Sequence, residues 1–321
     1  MTALPVSIAG VGIVRELGHE SKSAEDRVDR LRAVLAALLP DGPLVRFFHA
    51  IEEMAVLAAH DALSRSGISM PYRGDDLGVV LGLEEGIDGI KMRYYQGVLQ
   101  DGPVGASPLT FPLTTPNTIA ARISILFDLR GETFTVGGGS VSGAQAVGLA
   151  VQALREGRVA MALAGGVTCV EPEFLEAASR VHPSVGGPPR GGACLLLLVP
   201  PRSPSRGEGG ELLGYGEGFG GTDVKDAVQA CLEDAGIPSQ AIAAVWTAAV
   251  SDWPSAVHAV REVGVTARVT RSPSTDLHSA SFPLAVAEVA GQSVPGTPRP
   301  VLIIGSDCLA GAVAAVVRGG V

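Results

Sequence analysis

Residues 131–143 read GETFTVGGGSVSG: a β-branched run, three glycines, a serine, and then the small residues that open a helical pattern. The run 133–136 predicts a strand and residues 141–156 a helix, so the chain turns sharply at its glycines and delivers Ser140 to the helix N-terminus. Glycine supplies backbone angles that other residues adopt only at a cost. A helix N-terminus, with its unpaired amides, favours an anion such as a thiolate or an oxyanion. Nucleophiles are presented in this way. Ser142 stands where the last glycine of G-x-S-x-G would fall, so the same residues also fit a packed turn without chemistry.

Working outward, short aliphatic runs alternate with helical patterns. Strands are predicted at 6–14, 77–81, 159–164 and 193–199, and a helix at 47–66. Uninterrupted aliphatic strands suit a sheet covered on both faces. Residues 200–210, PPRSPSRGEGG, read as a linker between two α/β halves of unequal length, 1–203 and 211–321. Beyond it, strands are expected at 211–215, 243–249, 301–304 and 313–317, with helices at 223–234, 254–263 and 282–290. "GVG" at Gly10–Gly12 follows an apolar run, but position 15 is Arg15 rather than a third dinucleotide-loop glycine. A tight strand-ending turn is expected there.

Composition excludes several classes. Over 321 residues, 24 Lys and Arg against 33 Asp and Glu give a net charge of −9, which does not suit a phosphate backbone and excludes a nucleic-acid partner. No run approaches the roughly 18 apolar residues of a membrane span, so a cytoplasmic protein is expected. Only 18% of residues are charged and 46% are hydrophobic, a balance that suits a buried sheet and a large subunit interface. Cys169, Cys194, Cys231 and Cys308 are widely spaced without a CxxC pair. They read as reduced core residues, and neither a metal, a cofactor nor a disulfide framework is implied.

The stretch 111–174 resembles the core of the β-ketoacyl synthases, the condensing enzymes of the thiolase fold. The likeness lies in Pro116–Asn117 before the A-A-R-I-S helix (residues 120–124), the L-R-G turn (129–131), the elbow, and the A-G-G strand end (164–166). It extends to GVGIVRELG (10–18), to residues 46–68 and to RGGACLLLLV (190–199), and continues more weakly after the linker. The resemblance implies an α/β, thiolase-like αβαβα layered fold built from two similar βαβ-containing halves, the C-terminal one shortened.

Departures from the family pattern fall on its chemistry. The family presents cysteine, commonly within A-C-A-S-G, where this chain has Ser140 between Gly139 and Val141. A serine hydroxyl is almost wholly protonated at neutral pH, whereas a cysteine at a helix N-terminus ionises readily. The family's H-G-T-G-T segment corresponds to VWTAAVSDWP (245–254), which has no histidine, and His258 is expected to be an ordinary helix residue. The lysine and G-H-S-x-G-A-A-G segment corresponds to TRSPSTDLHSASFPLAVAE (270–288), where His278 and Ser279 match, Leu277 replaces glycine and Arg271 stands near the lysine. GSDCLAG (305–311) replaces the F-G-F-G-G gate.

With thiolate and one histidine gone, the resemblance narrows to the chain length factors, or ketosynthase β subunits, of type II polyketide systems. It implies a subunit without condensation activity of its own and assigns no catalytic residue, Ser140 being a degenerate elbow position and His278 a residual histidine. The implied partners are a catalytic ketosynthase in a heterodimer and, through that complex, an acyl carrier protein. The chain would help shape the tunnel that limits product length. The family dimerises through the strand before the elbow, here 133–136, and a homodimer in isolation stays open. The alternative is a serine acyltransferase or hydrolase with Ser140 as nucleophile, His278 as base and Asp276 or Asp307 orienting the imidazole.

Overall fold

The computed structural model describes residues 4–15, 21–38, 48–68, 76–84, 86–169, 191–201, 209–220, 223–250, 252–272, 277–291, 299–307 and 310–320. Most of the linker (202–208), together with Asp276, Cys308 and Arg190, lies outside them. In chain order the elements of the first half are β1 (Val6–Arg15), α1 (Ser21–Leu38), α2 (Ala50–Arg65), β2 (Leu77–Leu83), α3 (Asp88–Asp101), α4 (Asn117–Leu126), β3 (Thr133–Gly137), α5 (Ser142–Arg155), β4 (Met161–Thr168) and β5 (Gly192–Val199). The second half contributes β6 (Glu211–Gly218), α6 (Asp223–Ala235), β7 (Ala244–Val250), α7 (Trp253–Glu262), β8 (Val269–Arg271), α8 (Ser281–Ala290), β9 (Val301–Asp307) and β10 (Gly311–Arg318).

The strands form one sheet in the order β3-β2-β4-β5-β1-β6-β10-β9-β7-β8. Read inward from either edge, each half repeats the same plan. The third strand of the half is at the edge, its second and fourth follow in parallel, and its fifth and first are antiparallel. The halves join where β1 and β6 pair antiparallel at Val6–Leu212 and Ser7–Glu211. This is the two-half α/β architecture that the sequence implied.

Alternation along the strands builds the layers. Leu195, Leu197 and Val199 face an outer core with α1, α2 and α4, while Cys194, Leu196 and Leu198 face a middle core with α5 and α8. In the second half Val313, Ala315 and Val317 join the middle core, and Ala312, Ala314 and Val316 face α6 and α7. The two halves of the single sheet enclose the middle core, so that helix, half-sheet, helix, half-sheet and helix stack in five layers. Every residue of β5 is buried, which is why its sequence is an unbroken apolar run.

The "GVG" of β1 corrects the expected turn. Gly10 and Gly12 lie inside the strand, where a Cβ would fall 2.0 Å from the Ala62 carbonyl oxygen and 1.8 Å from that of Ala58. The glycines let α2 lie directly on the sheet. The symmetry-related contact is built alike: Cβ atoms on Gly214, Gly216 and Gly218 of β6 would meet the backbone of α6 at Cys231, Ala227 and Asp223.

One further contact ties two helices of the outer layer together. Arg122, from the A-A-R-I-S helix α4, points its Nε at Glu52 Oε1 of α2, 2.6 Å away, with its guanidinium 4.5 Å over the Phe48 ring. Glu52 is 2% exposed. Among the described residues no helix is long and apolar enough to cross a membrane.

Candidate functional site: the elbow and the His278 turn

β3 ends at Gly137, Gly138 and Gly139 take φ of +138° and +85°, and α5 begins at Ser142. Ser140 is half-buried at the mouth of that helix, as the sequence predicted. Its partner is a carboxylate from the other half of the chain. Both the Ser140 N–H and the Ser140 hydroxyl donate to Asp307 Oδ2, each at 3.0 Å. Asp307 ends β9 and is 4% exposed, and its Oδ1 accepts the Ala310 N–H at 3.2 Å.

His278 opens a 3-10 turn, His278–Ala280, that leads into α8, and it does so with φ of +49°, uncommon for a residue with a side chain. The turn and the elbow occupy symmetry-related positions, each at the start of a middle-layer helix. They pack backbone to backbone. The Ser279 carbonyl oxygen lies where a Cβ on Gly143 or Gly166 would come within 1.9 or 2.0 Å of it. Ser279 Oγ donates to the Val167 carbonyl at 2.9 Å, which leaves Thr168 Oγ1, also 2.9 Å away, as donor to Ser279. Gly143 of the elbow helix and Gly166 are thus required by this close approach, and the A-G-G residues 164–166 lie inside β4 rather than at the strand end expected from the sequence.

The His278 ring is paired with a carboxylate from the first half of the chain. Its Nδ1 lies 3.2 Å from Glu84 Oε2, with both side chains 3% exposed, and Glu84 follows β2 directly. Asp307, one of the two residues expected to orient the imidazole, holds Ser140. Two separate pairs result, Ser140 with Asp307 and His278 with Glu84. The importance of Glu84 had no signal in the sequence, because its partner is almost two hundred residues away.

His258 is an exposed residue of α7, 3.8 Å from Glu262. The segment replacing H-G-T-G-T ends in a helix cap: Asp252 accepts the Ser255 N–H at 3.2 Å and the Ser255 hydroxyl at 2.7 Å, bonds that hold its carboxyl below the ordinary range. Arg271, placed near the family's lysine, lies in β8 with its guanidinium 5.3 Å over the Trp253 ring. Cys169, Cys194 and Cys231 are buried. Burial pushes the thiols of Cys194 and Cys231 far above the usual range, so neither is a thiolate.

Residues 44–187 match the family described as "Beta-ketoacyl synthase, N-terminal domain". Nodulation protein E of Rhizobium leguminosarum bv. trifolii is 35% identical over 115 residues, which are 35% of this chain and 28% of that protein. The chain therefore aligns with less than a third of the length of this curated relative. The ishigamide ketosynthase/chain length factor superposes with a TM-score of 0.76 at 19% identity, covering 98% of this chain and 99% of that one. A type II PKS acyl-carrier protein in complex with its ketosynthase bound to the hexaketide gives a TM-score of 0.74 at 17% identity, covering both chains fully. From residue 44 to residue 187 the chain matches the β-ketoacyl synthase N-terminal domain, and taken whole it has the thiolase-like fold of the ketosynthases.

Proposed function

We propose that this chain is an auxiliary, chain length factor-like subunit that pairs with a Cys-containing ketosynthase and helps shape its acyl tunnel without condensing substrates itself. The observation that carries this reading is a ketosynthase scaffold whose elbow holds a serine bonded to Asp307 while His278 is paired with Glu84. A serine nucleophile needs a base at its hydroxyl, and a carboxylate that also binds the Ser140 amide is a poor one. The acyltransferase alternative requires the Ser140 hydroxyl to donate to His278, whereas it donates to Asp307.

The exposed surface supports pairing. β3 is an edge strand that leads straight into the elbow, and Phe134 on it is 49% exposed. Phe134 and Leu149 of α5 flank a shallow apolar groove, and Leu99, Val104, Leu109, Phe111 and Ile125 also stand in solvent within the same stretch of sequence. An open apolar edge strand invites another chain. The neighbours named above as a ketosynthase/chain length factor and as a ketosynthase complex with an acyl carrier protein make such partners the natural candidates.

The test is co-expression with a Cys-containing ketosynthase and an acyl carrier protein. Product is expected to require this chain and to be unchanged by Ser140→Ala. Turnover by this chain alone, abolished by Ser140→Ala, would replace the proposal with a serine enzyme. Independently, Phe134→Asp is expected to abolish co-purification with the ketosynthase while leaving the far-UV circular dichroism and melting temperature of the chain unchanged. Co-purification at the native level would move the interface elsewhere.

A further inference from the structure

We infer that the Asp307 carboxylate is a built-in plug that occupies the anion position at the N-terminus of α5, closing the elbow to an acyl carbonyl oxygen and opposing a thiolate at position 140. A single oxygen, Oδ2, accepts both the amide and the hydroxyl of Ser140, each at 3.0 Å. The other oxygen is held at 3.2 Å by the N–H of Ala310, three residues on, so the carboxylate is oriented by its own turn. Space for it exists because residue 139 is glycine. A Cβ there would lie 2.6 Å from Oδ2 and 2.8 Å from the carboxyl carbon. Donor, orientation and room are all fitted to a carboxylate that is itself 4% exposed.

The chemical consequence reaches beyond the change from cysteine to serine. An acyl group at this elbow would need the Ser140 amide for its carbonyl oxygen, and that amide already donates to the Asp307 carboxyl group. A sulfur at position 140 would sit beside the same carboxyl group. The helix dipole lowers a thiol's pKa at this position, whereas an adjacent carboxylate raises it. Restoring the sulfur alone is therefore insufficient to restore a reactive nucleophile.

The inference concerns the chain by itself and is tested without a partner, so its outcome is independent of the subunit reading. Ser140→Cys and Ser140→Cys/Asp307→Asn are prepared as full chains, and alkylation by iodoacetamide, which forms the thioether and releases iodide, is followed across pH. Mass spectrometry assigns the label to residue 140, because Cys308 follows Asp307 directly. Asparagine keeps an oxygen for the amide and removes the charge. Alkylation at neutral pH is expected to be at least about tenfold faster in the double variant, with the rate–pH midpoint lower by at least about one unit. Simple loosening of the turn would raise the limiting rate without moving the midpoint, so an unmoved midpoint overturns the inference whatever the limiting rate. A second arm needs no new cysteine. Acetate is expected to raise the melting temperature of Asp307→Gly, whose anion position is vacated, and to leave the native chain unaffected. An equal response in both also overturns it.

Discussion

Gly143→Ala is expected to destabilise the protein by about 3 kcal/mol or more, at or above the top of the usual range for overpacking. Helix propensity alone points the other way, because alanine in place of glycine inside a helix gains about 1 kcal/mol. Gly143 is the second residue of α5, and the added methyl would lie 1.9 Å from the Ser279 carbonyl oxygen and 3.0 Å from Gly166 Cα. Both obstacles are backbone. Neither can swing aside as a side chain would, and Gly166 belongs to β4, which is hydrogen-bonded on both sides by β2 and β5. Relief requires the His278 turn to part from the elbow, which breaks the join between the two halves at the centre of the middle layer. Gly157→Ala provides the contrast. Gly157 has φ of +70°, and an added methyl would meet nothing within 4 Å, so its alanine variant bears only the left-handed backbone penalty of roughly 1–2 kcal/mol. Urea unfolding of the two variants beside the native chain decides the matter. A Gly143→Ala protein as stable as the native one would mean that the turn and the elbow do not touch.

The same packing explains what could be read from the sequence. β5 and the elbow were legible because each is determined locally: a strand buried on both faces must be continuously apolar, and a sharp strand-to-helix turn must be rich in glycine. Gly10 and Gly12 were legible as special positions but not in kind. A glycine needed for a turn and one needed for a helix to lie on a strand leave the same letter, and only the position of α2 distinguishes them. Two helices went unanticipated. α1, SKSAEDRVDRLRAVLAAL, is dominated by charge in its first half, and α3 buries only Gly89 and Ile90 and carries Gly97 in its interior. β8, three residues long, gives too short a period to detect.

At the site, single residues were legible and their pairings were not. Ser140 stands before the helix to which the sequence assigned it, and His278 opens the turn that leads into the other middle-layer helix. Their carboxylate partners come from β9 and from the end of β2, brought near by the sheet order rather than by spacing along the chain. Asp307 could be named as acidic and close to the altered gate, but its hold on Ser140 follows from the room at Gly139 and the bond from Ala310.

Arg122→Met is expected to be as damaging as the glycine variant, through charge instead of volume. Glu52 is 2% exposed, and its ionised form is favoured by the His49 N–H, 3.0 Å away, and the Arg122 guanidinium, 2.6 Å away. Removing one member of a buried ion pair costs about 3–5 kcal/mol, because the other charge is left without its compensation. The exposed pair Arg130–Asp128 provides the scale, since disrupting a surface pair changes stability by about 0–1 kcal/mol. The variant should also acquire a distinctive pH dependence. Burial already raises the Glu52 pKa above its ordinary value, opposed by the His49 N–H and by Arg122, and loss of Arg122 raises it further. Between the unfolded and the folded pKa such a carboxyl is ionised only in the unfolded chain, so stability falls as pH rises through that interval and stays low above it. The stability deficit of Arg122→Met relative to the native chain is therefore largest near neutrality and shrinks as the pH is lowered toward the ordinary carboxylate range. Glu52→Gln added to Arg122→Met removes the stranded charge and is expected to recover most of the loss at neutral pH. Urea unfolding of the three proteins at several pH values measures both effects. A deficit that is independent of pH and unrelieved by Glu52→Gln would show that Arg122 acts through its packing on Phe48 alone.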